Sequence, residues 1–178
     1  MTDQELVRAC LEGSGKAQRL LYDKYSGQMM AVCLRYAGNE PDAQDMMQEG
    51  FIKVFDKLGQ YSGKGSLVGW IRSVVVSCAL VHIRKEKRFM FHEDVEEVQH
   101  LTDDDVDAVS RMSQAEIMEL IRQMPDGYRT VFNLFAIEGY SHKEIAELIE
   151  VSESTSKTQF FKAKAWLKKE LNALERTT

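Results

Sequence analysis

Between Arg88 and Arg111 the chain has no lysine or arginine, yet it holds Glu93, Asp94, Glu96, Glu97, Asp103, Asp104, Asp105 and Asp107. So dense a block of like charge resists packing, because each carboxylate would have to be desolvated beside its neighbours. It reads as a flexible acidic linker over residues 90–112, dividing the 178 residues into segments 1–89 and 113–178. Each segment is the size of a small domain. Prolines are confined to Pro41 and Pro125, and apolar residues recur at helical spacing on both sides of the linker. The expected fold is all-α, two helical domains on a tether.

In the first segment, Thr2 followed by Glu5 has the form of a capping box opening a short helix to about Glu12. Gly13 and Gly15 are expected to interrupt it, before a longer helix over 16–36 with Leu20, Leu21, Tyr25, Met29, Val32, Cys33 and Tyr36 inward. Gly38 and Asn39 end that helix, and Pro41 suits the first turn of the next, over 41–58. There Met46, Met47, Phe51, Val54 and Phe55 face inward, leaving Asp42, Asp45, Gln48 and Glu49 toward solvent. A glycine-rich stretch, 59–66, leads to a helix capped by Ser66 and reaching Arg88, with Trp70 or Ile71, Val74, Val75 and Cys78 on its apolar face. Its end is a basic run, Arg84, Lys85, Lys87 and Arg88, broken only by Glu86.

The formal net charge is −5, and the acidic interval accounts for it: without those eight carboxylates the rest lies on the basic side of neutral. A nucleic-acid partner would therefore be met by local basic patches rather than by the whole chain. Cys10, Cys33 and Cys78 are widely spaced and form no CxxC or Cys/His cluster, so no metal site and no cofactor is expected. They read as reduced thiols of a cytoplasmic protein. The longest apolar run, 74–81, is far shorter than a membrane span needs, and the polar, acidic N-terminus does not read as a signal peptide.

The second segment carries a bipartite helical pattern. Gly139 terminates one helix, and Ser141 with Glu144 forms a capping box opening a short one with Ile145, Ala146, Leu148 and Ile149 for burial. A turn at Glu150, Val151 and Ser152 leads into a longer helix over 154–174. Short helix, tight turn and longer helix form the helix-turn-helix pattern, whose second helix enters a DNA groove. Phe160, Ala163, Leu167 and Leu171 form the stripe expected inside, while Lys157, Thr158, Phe161 and Lys162 share another. Core packing does not account for a large aromatic among lysines and a threonine, whereas apolar contact with a thymine methyl would; a solvated basic face with Phe161 tucked under a neighbour is the plain alternative. Ser156 and Lys164 complete the expected duplex-contacting set, with Lys168 and Lys169 extending the charge. The turn takes a left-handed residue, and this chain offers Glu150 where glycine is at ease.

These residues carry a family resemblance. The segment from Met124 to Phe132 and that from Glu138 to Ala146 resemble the C-terminal domain of bacterial RNA polymerase sigma factors. The two-domain layout is similar to the extracytoplasmic-function group. Asp42 to Phe51 resembles the family's core-polymerase-binding helix, and Ser66 to Ile71 with Ala79 to Lys85 resembles its −10 segment. The resemblance implies a protein that binds core RNA polymerase through Asp42, Asp45, Gln48, Glu49 and Phe51. It would read −35 duplex with the second segment and capture one strand of the melting −10 element with the first. Leu67, Trp70, Arg72, Ser77, His82, Arg84, Lys85 and Arg88 are the implied −10 residues. A glycine-rich loop can fold around an extruded base, and a basic helix end can hold single-strand phosphates. Trp70 as a core aromatic and His82 as a surface histidine are the plain alternatives. An anti-sigma factor is a further implied partner, and the acidic linker would follow the polymerase's basic RNA channel, with a merely solubilising tether as the plain alternative. The family commonly has asparagine at Ser77, aspartate at Val81, an aromatic at Leu67 and an acid at Lys64.

No nucleophile motif or phosphate-binding loop is present, so no enzyme is expected. A stand-alone helix-turn-helix regulator with a sensing domain is the first rival. A mimic that titrates an anti-sigma factor by protein contact is the second, but it would have no use for the basic DNA-facing residues.

Overall fold

The computed structural model describes residues 1–85 and 112–176. Residues 90–111 of the linker and Arg88 lie outside the described residues. The chain divides into two compact units, Met1–Glu86 and Lys87–Thr178. Helices make up both, with no strand among the described residues.

The first unit contains α1 (Asp3–Leu11), α2 (Gly15–Ala37), α3 (Glu40–Lys57), a short 3-10 turn (Leu58–Gln60) and α4 (Leu67–Lys85). Local chemistry sets the boundaries. Thr2 and Glu5 form a reciprocal capping box, the Glu5 carboxylate accepting from the Thr2 backbone N–H at 2.7 Å. Ser14 caps α2, so Gly15 begins that helix rather than interrupting the chain, and left-handed Gly38 ends it. Asn39 caps α3, whose first turn contains Pro41. α2, α3 and α4 pack on one another, and α1 lies on α2.

The core is drawn from one stripe of each helix, including Leu21, Met29, Cys33 and Tyr36 of α2, Met46 and Val54 of α3, and Ile71, Val75 and Ala79 of α4. Leu20, expected inside, is instead exposed: it falls a residue off the stripe that Leu21 occupies. α3 and α4 approach closely where Gly50 meets Val75, since a Cβ at Gly50 would lie 3.0 Å from the valine Cγ2. α4 is long and apolar enough by composition to cross a membrane. Here Leu67, Ile71, Val75, Val76, Ala79, Leu80 and Ile83 are buried within the protein, which makes it a core helix. Burial pushes the Cys33 thiol up to about 12 and raises Cys10 and Cys78 as well, so the thiols stay protonated and weakly nucleophilic near neutrality.

The second unit contains α5 (Gln114–Gln123), α6 (Asp126–Phe132), a π-helical turn (Asn133–Ile137), α7 (His142–Ile149) and α8 (Glu153–Glu175). Buried Arg129 staples α5 to α6: its Nη1 donates to the carbonyls of Arg122 and Met124, each at 2.9 Å, and its Nη2 pairs with Asp126. Those carbonyls sit at the end of α5, where the helix leaves acceptors unsatisfied. The Ser141–Glu144 capping box forms as expected and opens α7. Glu150 then takes the left-handed conformation, φ 58°, with its N–H bonded to the Ala146 carbonyl. Ser152 caps α8.

α8 packs against α6 and α7. An aromatic nest joins them: the rings of Phe135 and His142 stack at 4.3 Å, and Phe160 lies 4.5 Å from Phe135. Burial and then Lys157 hold the His142 imidazole below its ordinary pKa, with Glu153 opposing them.

Two outcomes follow from this geometry. Glu150→Gly should stabilise the second unit by up to about 1 kcal/mol, read as a raised unfolding midpoint, because glycine adopts this φ without a Cβ clash. For His142 the unfolded chain takes up the proton more readily than the folded one. The stability that the neutral imidazole contributes is present above the ordinary value of 6.5 and is lost as pH falls below it. Replacing His142 by Phe should flatten the fall in unfolding midpoint between about pH 7 and pH 5, where carboxylates contribute little.

Candidate nucleic-acid and protein interfaces

The outward face of α8 begins with its cap. The Ser152 hydroxyl accepts from the Thr155 N–H at 2.9 Å, starting the helix so that Lys157 and Thr158 fall on the exposed side of its second turn. Lys157 Nζ pairs with Glu153 Oε1 at 2.8 Å, and this lysine holds the Glu153 carboxyl below its usual range. Phe161 and Lys162 continue the stripe, both half-buried. Lys164 Nζ lies 5.1 Å from the Phe160 ring centre and 6.0 Å from that of Phe161, a cation–π placement that draws it along the helix. Ser156, expected at the DNA, is 0% exposed; its hydroxyl lies 2.9 Å from His142 Nδ1, so it faces α7 and the interior. Phe160 and Leu167, expected inside, are half-buried, whereas Ala163 and Leu171 are fully so.

In the first unit the glycine-rich stretch forms a tight loop over the start of α4. Gly63 and Gly65 both take positive φ, 74° and 79°. The Tyr61 hydroxyl donates to the Gly65 carbonyl at 2.8 Å, and the Tyr61 ring lies 5.7 Å from that of half-buried Trp70. Ile71 is the core residue here, which leaves Trp70 at the loop with part of its indole accessible. Arg72 and Arg84 are half-buried, and Ser77 and Lys85 exposed.

Two of the −10 residues are not at the surface. Leu67 is 1% exposed, because the first apolar position of α4 anchors that helix to the core. The His82 side chain is 12% exposed, with Nδ1 3.8 Å from Glu49 Oε2. It joins α4 to α3 rather than standing on a free surface. Among the polymerase-facing residues, Phe51 is 3% exposed and packs on Tyr22 at 4.7 Å, so it belongs to the core. Half-buried Asp42 closes the α3 cap, where the Asn39 side-chain amide donates to it at 2.8 Å. Asp45, Gln48 and Glu49 remain outward.

The structure adds a residue to that outward face. Ile52 is 62% exposed and lies one helical step beyond Gln48 and Glu49, so Asp45, Gln48, Glu49 and Ile52 make one stripe. An isoleucine on an acidic stripe was visible in the sequence, but helical periodicity alone gave no reason to single it out. Ile52 also borders a groove of about 390 Å³ between α3 and α4, lined by Glu49, Lys53, Lys57, Ser77, Val81 and Lys85, with Cys78 and Val74 beside them. Ser77 and Val81, two of the positions departing from the family pattern, thus share one surface feature.

Comparison with known proteins agrees with this organisation. The sigma-70 region 2 model matches residues 21–89 and the sigma-70 region 4 model residues 114–167, which together take in most of the chain. The RNA polymerase sigma-H factor of Pseudomonas aeruginosa is 28% identical over 185 aligned positions, spanning 98% of this chain and 96% of the relative. The ECF RNA polymerase sigma-E factor of Haemophilus influenzae is 25% identical, spanning 98% and 97%. Among solved structures, CnrH in complex with the cytosolic domain of CnrY shares the fold at a TM-score of 0.50 and 22% identity, covering 96% of this chain and 97% of that one. Two sigma regions in the family's order, with relatives aligned nearly end to end, place the chain in the sigma-70 family as a member of the extracytoplasmic-function group, a transcription-initiation factor.

Proposed function

We propose that this chain, acting in the cytoplasm, brings core RNA polymerase to promoters by holding it through α3 and reading two DNA elements, −35 as duplex and −10 as a melted strand. The observation that carries this reading is the pair of outward stripes on the two matched regions. Asp45, Gln48, Glu49 and Ile52 lie on α3, and Lys157, Thr158, Phe161 and Lys162 lie on α8. Both helices bury the opposite stripe, so each partner-facing surface is held rigidly.

At −35 the second turn of α8 supplies Lys157 to a phosphate or guanine edge, Thr158 to a base edge, and Phe161 to a thymine methyl. Lys157 exchanges its Glu153 partner for DNA. Such a swap is inexpensive, since an exposed pair of this kind contributes at most about 1 kcal/mol. At −10 the Tyr61–Trp70 pair offers a stacking platform beside a glycine loop, with Arg72, Ser77, Arg84 and Lys85 along the strand. Stacking on an aromatic contributes about 1–3 kcal/mol per base, enough to favour a base already unpaired. Leu67, Phe51 and Ser156 act from inside by fixing the helices that carry these contacts, and His82 by linking α4 to Glu49 of α3.

Docking on polymerase uses the α3 stripe, with Ile52 as the apolar anchor within charged surroundings. The acidic linker, 90–112, would follow a basic channel between the two DNA readers, by charge resemblance to nucleic acid. An overall negative chain with local basic patches binds DNA poorly alone, which makes promoter binding conditional on polymerase. Regulation by an anti-sigma factor belongs to the same reading.

Lys157→Ala with Lys162→Ala should weaken −35 binding by the holoenzyme. It should also flatten the slope of log affinity against log salt by about 0.9 for each phosphate that no longer meets a lysine. An unchanged slope would remove both lysines from the interface. Asp45→Lys with Glu49→Lys should abolish capture of core polymerase. Asp45→Lys alone, which keeps the Glu49–His82 contact, should weaken it without lowering the unfolding midpoint, and Ile52→Asp should weaken it about tenfold or more, as removal of a buried aliphatic anchor does. Retention of full capture by these variants would mean that α3 is not the docking helix. A gel shift with and without core enzyme separates this reading from a stand-alone regulator, which would bind tightly by itself.

A further inference from the structure

The buried Ser156 hydroxyl is a polar group inside a helix-turn-helix, and its chemistry identifies what it does. Its hydrogen-bond partner is His142 Nδ1, at 2.9 Å. A buried hydroxyl with one partner leaves its hydrogen unsatisfied unless that partner accepts. On that argument Ser156 would donate, His142 Nδ1 would accept, and the imidazole proton would reside on Nε2. The ring is held for this role by stacking on Phe135, 14° from parallel, and by Phe160 at 5.8 Å.

The two residues sit at instructive places. His142 is the first residue of α7 and Ser156 lies in the first turn of α8, while the Glu150–Ser152 turn joins the other end of α7 to α8. α8 is thus tied to α7 at two places near its start, the covalent turn and the Ser156 hydrogen bond, and the second resists rotation of α8 about its own axis. Ser156 directly precedes Lys157 and Thr158, the exposed residues of the outward stripe. We propose that His142 is a positioning residue for duplex recognition, its Nδ1 latching Ser156 so that α8 presents Lys157 and Thr158 at a fixed rotation. This rests on the reading of α8 as the −35 reader. It adds that specificity depends on two residues that do not touch DNA.

The first test needs no substitution. Nitrogen NMR of the imidazole in the full chain should show His142 as the Nε2–H tautomer, with Nδ1 unprotonated; an Nδ1–H ring, or one averaging both forms, would falsify the latch. The second uses holoenzyme on −35 duplex and on a scrambled duplex across a salt series. Ser156→Ala and His142→Phe, the latter keeping the ring stack, should each lower discrimination between the duplexes by about three- to tenfold, the effect of removing one internal hydrogen bond. The salt slope should stay at the wild-type value, because every phosphate keeps its lysine. The double variant should be no worse than either single one, as for two halves of one interaction. Unchanged discrimination, additive effects or an altered slope would each overturn the proposal. A wild-type holoenzyme that does not discriminate would instead overturn the duplex-reading assignment, and the tautomer would still decide whether the latch exists.

Discussion

The packing of one stripe of α4 against α2 and α3 is the interaction on which the first unit depends. α4 is apolar enough to be at home in a membrane by composition, and it is stable here because its apolar positions meet those of two neighbours. The approach is close because Gly50 presents no side chain to Val75. With α4 held at that crossing, the loop 59–66 closes over its start, and Trp70 stands beside Tyr61 rather than in the core. The groove beside Ser77 and Val81 is a product of the same crossing. Geometry fixed by burial is what lets exposed residues nearby act as a rigid reading surface.

The second unit solves a related problem with polar chemistry. Apart from α8 its helices are short, and short helices are marginal unless their ends are satisfied and their faces packed. Ser113–Glu116 and Ser141–Glu144 close the starts of α5 and α7, and the Arg129 guanidinium closes the end of α5. The carboxyls of Glu116 and Glu144 are held below their usual range by these serine contacts, so the caps persist well into mildly acidic conditions. The His142–Phe135–Phe160 nest combines ring stacking with a directed hydrogen bond. Rigid presentation of α8 is therefore a property of its neighbours more than of α8 itself.

Much of this was legible in the sequence. Capping boxes, glycine stops and the proline in the first turn of α3 are local chemistry, and the structure places the helix boundaries within a few residues of those signals. Left-handed Glu150 is of the same kind, since the turn demands it whatever surrounds it. The stripe of Lys157, Thr158, Phe161 and Lys162, and the outward acids of α3, could be read because amphipathic periodicity separates faces.

What periodicity could not do was decide the residues at the border between faces. Ser156, Leu67 and His82 carry side chains of either habit, and their burial depends on which neighbouring helix lies against them. Leu20 turns outward and Ile52 stands on an acidic surface for the same reason: a residue one position off the buried stripe is assigned by the crossing angle, which the sequence does not state. By itself the sequence determined the helical pattern, the Thr2 and Ser141 capping boxes, the left-handed turn and the family, because these rest on interactions within a few residues or on motifs read in order. Only the tertiary structure decided that Ser156 meets His142 and that His82 meets Glu49, because those pairs are joined by packing between helices and not by spacing along one.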